Sequence, residues 1–186
     1  GDIPQEMADS FLDIIINETD RMTHIVQDLL TLSRLDSGNA ELVLSRFPFG
    51  EAIESVVRSN ILNAQQRQHE LTYVPAELPL IVGDRSRLEQ VMMNIIGNAI
   101  KYTPDGGHVK TRVKYESELC IIEVEDDGPG IPDGEKLKVF DRFYRLDDSR
   151  ARDTGGTGLG LAITKEAVLL HKGTIEALDS PSGGSI

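Results

Sequence analysis

Two glycine-rich segments, Asp126-Asp127-Gly128-Pro129-Gly130 and Gly155-Gly156-Thr157-Gly158-Leu159-Gly160-Leu161, follow the stretch Asn94-Ile95-Ile96-Gly97-Asn98-Ala99-Ile100-Lys101-Tyr102. This triple constrains the fold more than any other feature. The first segment sets a carboxylate at a tight turn. The second offers backbone N–H groups just before a helical stretch, an arrangement that favours phosphate oxygens. The third spaces two amides i, i+4, which puts both on one helix face. An amide oxygen is a hard donor, suited to Mg2+ held jointly with phosphate. A chain carrying all three has to bring a helix face, a strand end and a loop around one nucleotide-sized pocket.

The flanking pattern says how. Pro4 suits a first helical turn, with Asp2 as its N-cap. Leu12, Ile15, Met22, Ile25, Leu29 and Leu32 recur at spacings near three and four, with Thr19 at the weak position of the stripe. That helix reaches Asp36, with Gly38 as its stop. Its heptad-like seam asks for a partner helix, so it belongs to a bundle rather than to the next domain's core. Phe47-Pro48-Phe49 marks the boundary, dividing the chain into residues 1–46 and 47–186.

Within the second part, Phe49, Ile53, Val56, Val57 and Leu62 form one amphipathic helix. Leu71–Val74 and Leu80–Val82 read as short strands. Asp84 caps a helix through Leu88, Val91, Met92, Ile95, Ile96 and Ala99 that stops before Pro104. Val109, Thr111, Val113 and Tyr115 alternate as a half-buried strand does, and Leu119–Glu125 pairs with it across the three-residue link Glu116–Glu118. A mobile stretch from Gly128 to Gly158 precedes a helix over Leu159–Leu170 and a strand over Gly173–Leu178. Helices against an antiparallel or mixed sheet make an α+β sandwich.

Charge narrows the partners. With 19 basic and 31 acidic residues the formal charge is −12. Such a surface repels phosphate backbones, so nucleic acid is excluded as a general partner. A single nucleotide is still accommodated by local cations, of which Lys101, Arg142 and Arg145 are the candidates. Cys120, the one cysteine, lies in an apolar run and reads as core. No stretch approaches the ~20 apolar residues of a membrane span.

Asp126 at its turn is placed to accept a hydrogen bond from an adenine amino group, with glycines letting a ring approach the backbone. The loop at Gly155–Gly160 is neither a Walker A loop nor a dinucleotide fingerprint, since neither motif's spacing is present. Phe140, Phe143 and Tyr144 with Arg142 and Arg145 form an aromatic-basic cluster, read either as docking for a lid or as a satellite core. His24, His69, His108 and His171 lie in no phosphate-acceptor motif and read as surface or structural residues.

These residues spell out a family. Asn94–Pro104, Asp126–Pro132, Val139–Arg145 and Gly156–Ile163 resemble the N, G1, F and G2 boxes of sensor histidine kinases, in order and with matched spacing. Residues 47–186 resemble the catalytic ATP-binding domain, a two-layer sandwich of the histidine kinase, gyrase, Hsp90 and MutL type. Residues ~5–37 resemble the second helix of the dimerisation and phosphoacceptor hairpin. The style is closest to membrane-bound receptors of Gram-positive bacteria that control cell-wall or phosphate responses.

The resemblance implies ATP and Mg2+ as cofactors, with Asn98 as metal ligand and Asn94 near the metal and phosphates. It implies Lys101 and Tyr102 at the nucleotide edge, and Arg145 with Lys101 steadying phosphate charge. Asp126 then reads adenine, and Gly128, Gly130 and Ile131 shape that wall. Gly156, Thr157, Gly158 and Gly160 form the lid and its hinge, with Leu159 and Leu161 packing against the base or the domain. The implied partners are ATP or ADP, the phosphoacceptor helix, a response regulator and a second copy of the chain, on the cytoplasmic side of a membrane. The acceptor histidine, expected before this first helix, is absent, so these residues should bind ATP without phosphorylating themselves. A final strand is likewise expected beyond Ile186.

Two other functions fit the same fold. ATP-hydrolysing and serine-kinase relatives place a glutamate one turn before the metal asparagine. That position is Asn94 here, and an amide cannot take a proton. A nucleotide-gated docking module without catalysis is the other alternative.

Overall fold

The computed structural model describes residues 4–36, 41–146 and 156–186. Asp2, Gly38 and Gly155 lie outside them. Helix α1 (Gln5–Asp36) begins directly after Pro4, whose carbonyl accepts from the N–H groups of Met7 and Ala8. Its apolar stripe is largely exposed: Leu12, Ile15, Met22 and Leu29 are each more than 40% accessible, whereas Leu32 is 4%. The helix therefore packs at its last turns and leaves the rest of its seam open. No helix among the described residues is long and apolar enough to cross a membrane.

Strand β1 (Ser45–Phe47) leads into α2 (Phe49–Ser59), α3 (Ile61–Gln66) and β2 (Glu70–Val74). Then follow β3 (Ile81–Gly83), α4 (Arg85–Tyr102), β4 (His108–Glu116), β5 (Leu119–Asp126), a 3-10 turn at Lys138–Phe140 and α5 (Gly160–Leu170). The main sheet has the order β2-β4-β5 and is mixed: β2 runs parallel to β4, and β5 antiparallel. A parallel neighbour needs a crossover, and here α4 lies within it. A second, two-stranded sheet pairs β1 with β3.

One core lies between the main sheet and α2 and α4. Ile53, Met92, Ile96 and Val109 are almost fully buried in it, with Phe47 meeting Phe49 edge-on at 5.8 Å. Along β4, Val109, Thr111 and Val113 point inward while Lys110, Arg112 and Lys114 alternate outward, as period two requires. Arg112 pairs with Glu123 at 3.0 Å and Glu125 at 2.8 Å, and Lys114 with Glu123 at 2.6 Å. Half-exposed pairs of this kind add at most about 1 kcal/mol each, so the buried face carries the fold.

Four expectations need correction. The helix from Phe49 breaks at Asn60, whose side-chain amide donates to the Val56 carbonyl at 2.9 Å, and Leu62 is left exposed on α3. Asn competes with helical backbone bonding in this way. The β4–β5 link is two residues, not three, because Glu116 pairs with Leu119. Ser117 (φ 51°) and Glu118 (φ 66°) both adopt the left-handed region that such a turn demands.

The third correction is at Gly173–Leu178, which forms no strand. Gly173 instead closes α5, its N–H donating to the Val168 carbonyl after Lys172 at φ 61°, and pairing begins only where Leu178 meets Ile186. Last, Cys120 and Tyr115 are less buried than expected: Cys120 packs half-buried against the core, where burial pushes its thiol pKa up, and Tyr115 is exposed.

The histidines are structural or at the surface. His69 is buried, with Nε2 3.0 Å from the Pro104 carbonyl. His171 accepts the Asp84 N–H at 2.9 Å. His108 is exposed against Asp127, and His24 lies on the open part of α1.

Candidate functional site

Helix α4 positions half of the site. Asp84 caps it, one carboxylate oxygen accepting the Arg87 N–H at 3.1 Å. Val91, Met92, Ile96, Ala99 and Ile100 turn one face into the core. Asn94, Asn98 and Lys101, spaced by four and three, share another. At the C-terminus, Arg67 Nη1 donates to the carbonyls of Ile100 (2.8 Å) and Lys101 (2.5 Å), satisfying two acceptors the helix leaves open.

The three side chains stand differently. The Asn94 amide nitrogen donates to the Gly160 carbonyl at 3.1 Å and to Thr164 Oγ1 at 3.3 Å. It thereby ties α4 to the first turn of α5, and only its carbonyl oxygen remains for a ligand. Asn98 is half-buried and takes no hydrogen-bond partner among the described residues. Lys101 has its ammonium 5.2 Å from the Tyr102 ring centroid, and burial, then the charge of Arg145, holds its pKa below the usual lysine value.

Arg145 Nη1 donates to the Gly156 carbonyl at 2.6 Å. A Cβ on Gly156 would lie 2.6 Å from Lys101 Nζ. Two cations thus converge on one glycine of the loop, an arrangement that is stabilised by an anion. Arg142 faces solvent. The aromatic cluster divides: Phe140 is buried, Phe143 is 62% exposed, and the Tyr144 hydroxyl donates to Glu135.

Asp126 ends β5, half-buried. One carboxylate oxygen accepts the N–H of Gly128 (2.9 Å) and of Ser185 (3.3 Å), and the other accepts the Ser185 hydroxyl at 3.0 Å. The second oxygen keeps a free lone pair. Gly128 brings this turn against the C-terminal end of α4, beside the Tyr102 carbonyl and Thr103, so Tyr102, exposed, and Asp126 belong to one wall. Ile131 is half-buried beyond Gly130. Ser185 was not legible as a site residue: it sits in a Ser- and Gly-rich tail without periodicity.

The second glycine loop closes on two sides. Phe143 N–H donates to the Gly158 carbonyl at 2.9 Å. Thr157 Oγ1 accepts the Leu159 N–H at 3.1 Å and donates to Asp28 of α1 at 3.2 Å. Leu159 is wholly buried against Leu32 and Ile163, so it packs on the domain and α1 rather than facing a base. Leu161 is half-buried at the start of α5. Asp28, one of several acidic residues on the polar face of α1, carried no signal that it reaches this loop.

A model of the histidine kinase-, DNA gyrase B-, and HSP90-like ATPase family matches residues 83–186, and one of the His Kinase A (phospho-acceptor) domain matches residues 3–38. The chain is 41% identical over 181 residues to the sensor histidine kinase WalK of Bacillus subtilis, covering 96% of this chain and 30% of WalK. It is 39% identical over 182 residues to the probable sensor histidine kinase TcrY of Mycobacterium tuberculosis, covering 97% and 38%. The chain thus spans about a third of the length of these relatives. Among solved structures, full-length ShkA in complex with AMPPNP superposes with a TM-score of 0.81 at 26% identity, over 92% of this chain and 35% of that one. The histidine kinase AdeS of Acinetobacter baumannii superposes with a TM-score of 0.73 at 29% identity, over 92% and 78%. Two helix-borne amides, a turn carboxylate and a cation-backed glycine loop, in this order and on this sandwich, accompany those matches: the chain belongs to the histidine kinase-, DNA gyrase B- and HSP90-like ATPase family and, within it, to the sensor histidine kinases.

Proposed function

We propose that residues 47–186 bind Mg-ATP and act as the phosphoryl-donor domain of a sensor histidine kinase, with residues 1–46 contributing the second helix of its phosphoacceptor hairpin. The observation that carries this reading is the convergence of Lys101 and Arg145 on Gly156, one helical turn from Asn98, whose side chain takes no hydrogen-bond partner among the described residues. A half-buried cation pair facing a glycine cradle fits polyphosphate, and Asn98 fits a hard metal shared with it. Asp126, with its free lone pair, holds the adenine amino group. Lys101 and Arg145 hold phosphate charge, and Asn94 offers its carbonyl oxygen from the α4–α5 tie. The bound Mg-ATP supplies the phosphoryl group. The γ-phosphoryl would pass to an imidazole nitrogen of a histidine outside these residues as its bond to the bridging oxygen breaks and ADP leaves, and from the imidazole to a response-regulator aspartate.

The whole receptor is a membrane-anchored homodimer in this reading, with these residues in the cytoplasm. The exposed seam of α1 supports a bundle partner. Asn94 argues against the hydrolase and serine-kinase alternatives. Its amide cannot act as a base, and its N–H groups are already engaged with Gly160 and Thr164.

Calorimetric titration with ATP, with and without Mg2+, tests the pocket. Saturable, Mg2+-dependent binding with negligible steady-state hydrolysis is expected, and acid-labile phosphate should appear on a phosphoacceptor helix supplied separately. No binding at millimolar ATP would sink the reading. Turnover abolished by Asn94→Ala would instead favour the hydrolase.

Lys101 gives a second readout. Its folded pKa lies below the unfolded value, so the folded state binds fewer protons between the two. Nucleotide-free stability should therefore rise with pH across that window. Phosphate beside Lys101 should raise its pKa and flatten that rise. NMR titration of the lysine side chain with and without Mg-ATP measures the shift, and an unchanged Lys101 would remove it from the phosphate site.

A further inference from the structure

Among the described residues, helix α1 meets the nucleotide loop at a polar contact backed by a small apolar one. Thr157 has one hydroxyl proton, and it goes to Asp28 Oδ2 at 3.2 Å, while the hydroxyl oxygen receives the Leu159 N–H at 3.1 Å. Four residues on along α1, Leu32 is buried against Leu159 and Ile163. Thr157 immediately follows Gly156, on which Lys101 and Arg145 converge. The loop thus lies between a carboxylate of α1 on one side and two cations of the domain on the other.

We propose that Asp28 is a positioning residue that latches α1 onto the glycine loop through Thr157, so that docking of α1 and occupation of the loop by a nucleotide triphosphate compete. This rests on the nucleotide reading of the loop given above. The competition has two physical sources. A phosphate oxygen seated on the loop needs the Thr157 proton that Asp28 now takes, and the hydroxyl has no second one to give. A triphosphate also brings several negative charges close to a carboxylate that burial already disfavours. Nucleotide binding therefore loosens the polar half of the latch, and the small Leu32–Leu159–Ile163 cluster alone is a weak tether. The reciprocal also holds, since two coupled equilibria affect each other by the same factor. An undocked α1 leaves the loop more receptive to nucleotide.

The test uses the whole chain with spin labels at Gln27 and Leu169, both exposed, in a Cys120→Ser background, measuring the α1–α5 distance distribution. Without nucleotide, the parent should give a narrow distribution and Asp28→Ala, which removes the acceptor, a broad one. Identical narrow distributions overturn the latch. Mg-ATP should broaden the parent distribution towards that of Asp28→Ala, and an unmoved distribution at saturating Mg-ATP overturns the competition. In calorimetry, Asp28→Ala should bind Mg-ATP roughly three- to tenfold more tightly, the order expected for loss of one partly exposed charge contact. Equal or weaker binding overturns the proposal. If the parent binds no Mg-ATP, the nucleotide reading and the competition fail together, and the nucleotide-free distances still decide the latch.

Discussion

Asp126→Asn is expected to weaken Mg-ATP binding by roughly ten- to a hundredfold, the range for losing one hydrogen bond to a charged group in a recess. Asp126 offers acceptors only, and three are already met by Gly128 and Ser185. Asn would turn one of those oxygens into a donor. Facing the amino group of adenine, or the N–H groups of Gly128 and Ser185, that donor has nothing to bond. Guanine presents an oxygen where adenine presents its amino group, so the ratio of ATP to GTP affinity should fall as well. Calorimetry with both nucleotides separates this from general damage. Ser185→Ala removes one of the carboxylate's partners while leaving its charge, and should cost much less. Unchanged ATP affinity in Asp126→Asn would remove this residue from base recognition.

Gly158→Ala should destabilise the chain by about 2–4 kcal/mol in urea unfolding. Gly158 sits at φ +72°, and an added Cβ would lie 2.8–3.0 Å from the Phe143 backbone. Left-handed backbone costs a non-glycine residue about 1–2 kcal/mol. The collision is with main chain, which cannot swing aside as a side-chain tip can. Relief requires breaking the Phe143 N–H bond to Gly158. Arg145 lies two residues beyond Phe143, so nucleotide affinity should fall with stability. Gly134→Ala, where a Cβ meets nothing within 4 Å, is the control and should be close to neutral. If the two variants unfold alike, the Phe143–Gly158 junction is softer than its geometry implies.

What the sequence disclosed, and what it withheld, follows from range. Helix α4 was legible because its cap, its apolar stripe and its stop at Pro104 are all local. The β4 alternation was legible because period two survives wherever one face meets a core. The resemblance named the glycine segments because their order is itself a pattern. The break at Asn60 was missed because the side chain that ends α2 competes with the backbone over four residues, inside an otherwise unbroken stripe. The turn at Ser117 and Glu118 was misread because neither is a residue that normally marks a left-handed pair. Thr157 meets Asp28 across 129 positions and Asp126 meets Ser185 across 59. Contacts of that span leave no periodicity, and a hydroxyl in a polar segment looks the same whether it is bonded or idle. The resemblance left Leu159 against either the base or the domain, and it is the domain, because the helix it precedes carries it inward.

The cap of α4 has a mechanical consequence. One oxygen of Asp84 holds the first turn of the helix through Arg87, and the other accepts the N–H of Val43 at 3.1 Å. Beside it, β1 is zipped to β3 from Ser45–Gly83 to Phe47–Ile81. A load arriving along residues 41–47 therefore reaches the base of α4 directly. From there the helix runs about 27 Å as a stiff rod, with Asn98 and Lys101 at its far end and Arg67 clamping its last carbonyls. Such a strut passes on a small axial displacement instead of absorbing it, so tension on that entering strand is felt at the cation pair as movement.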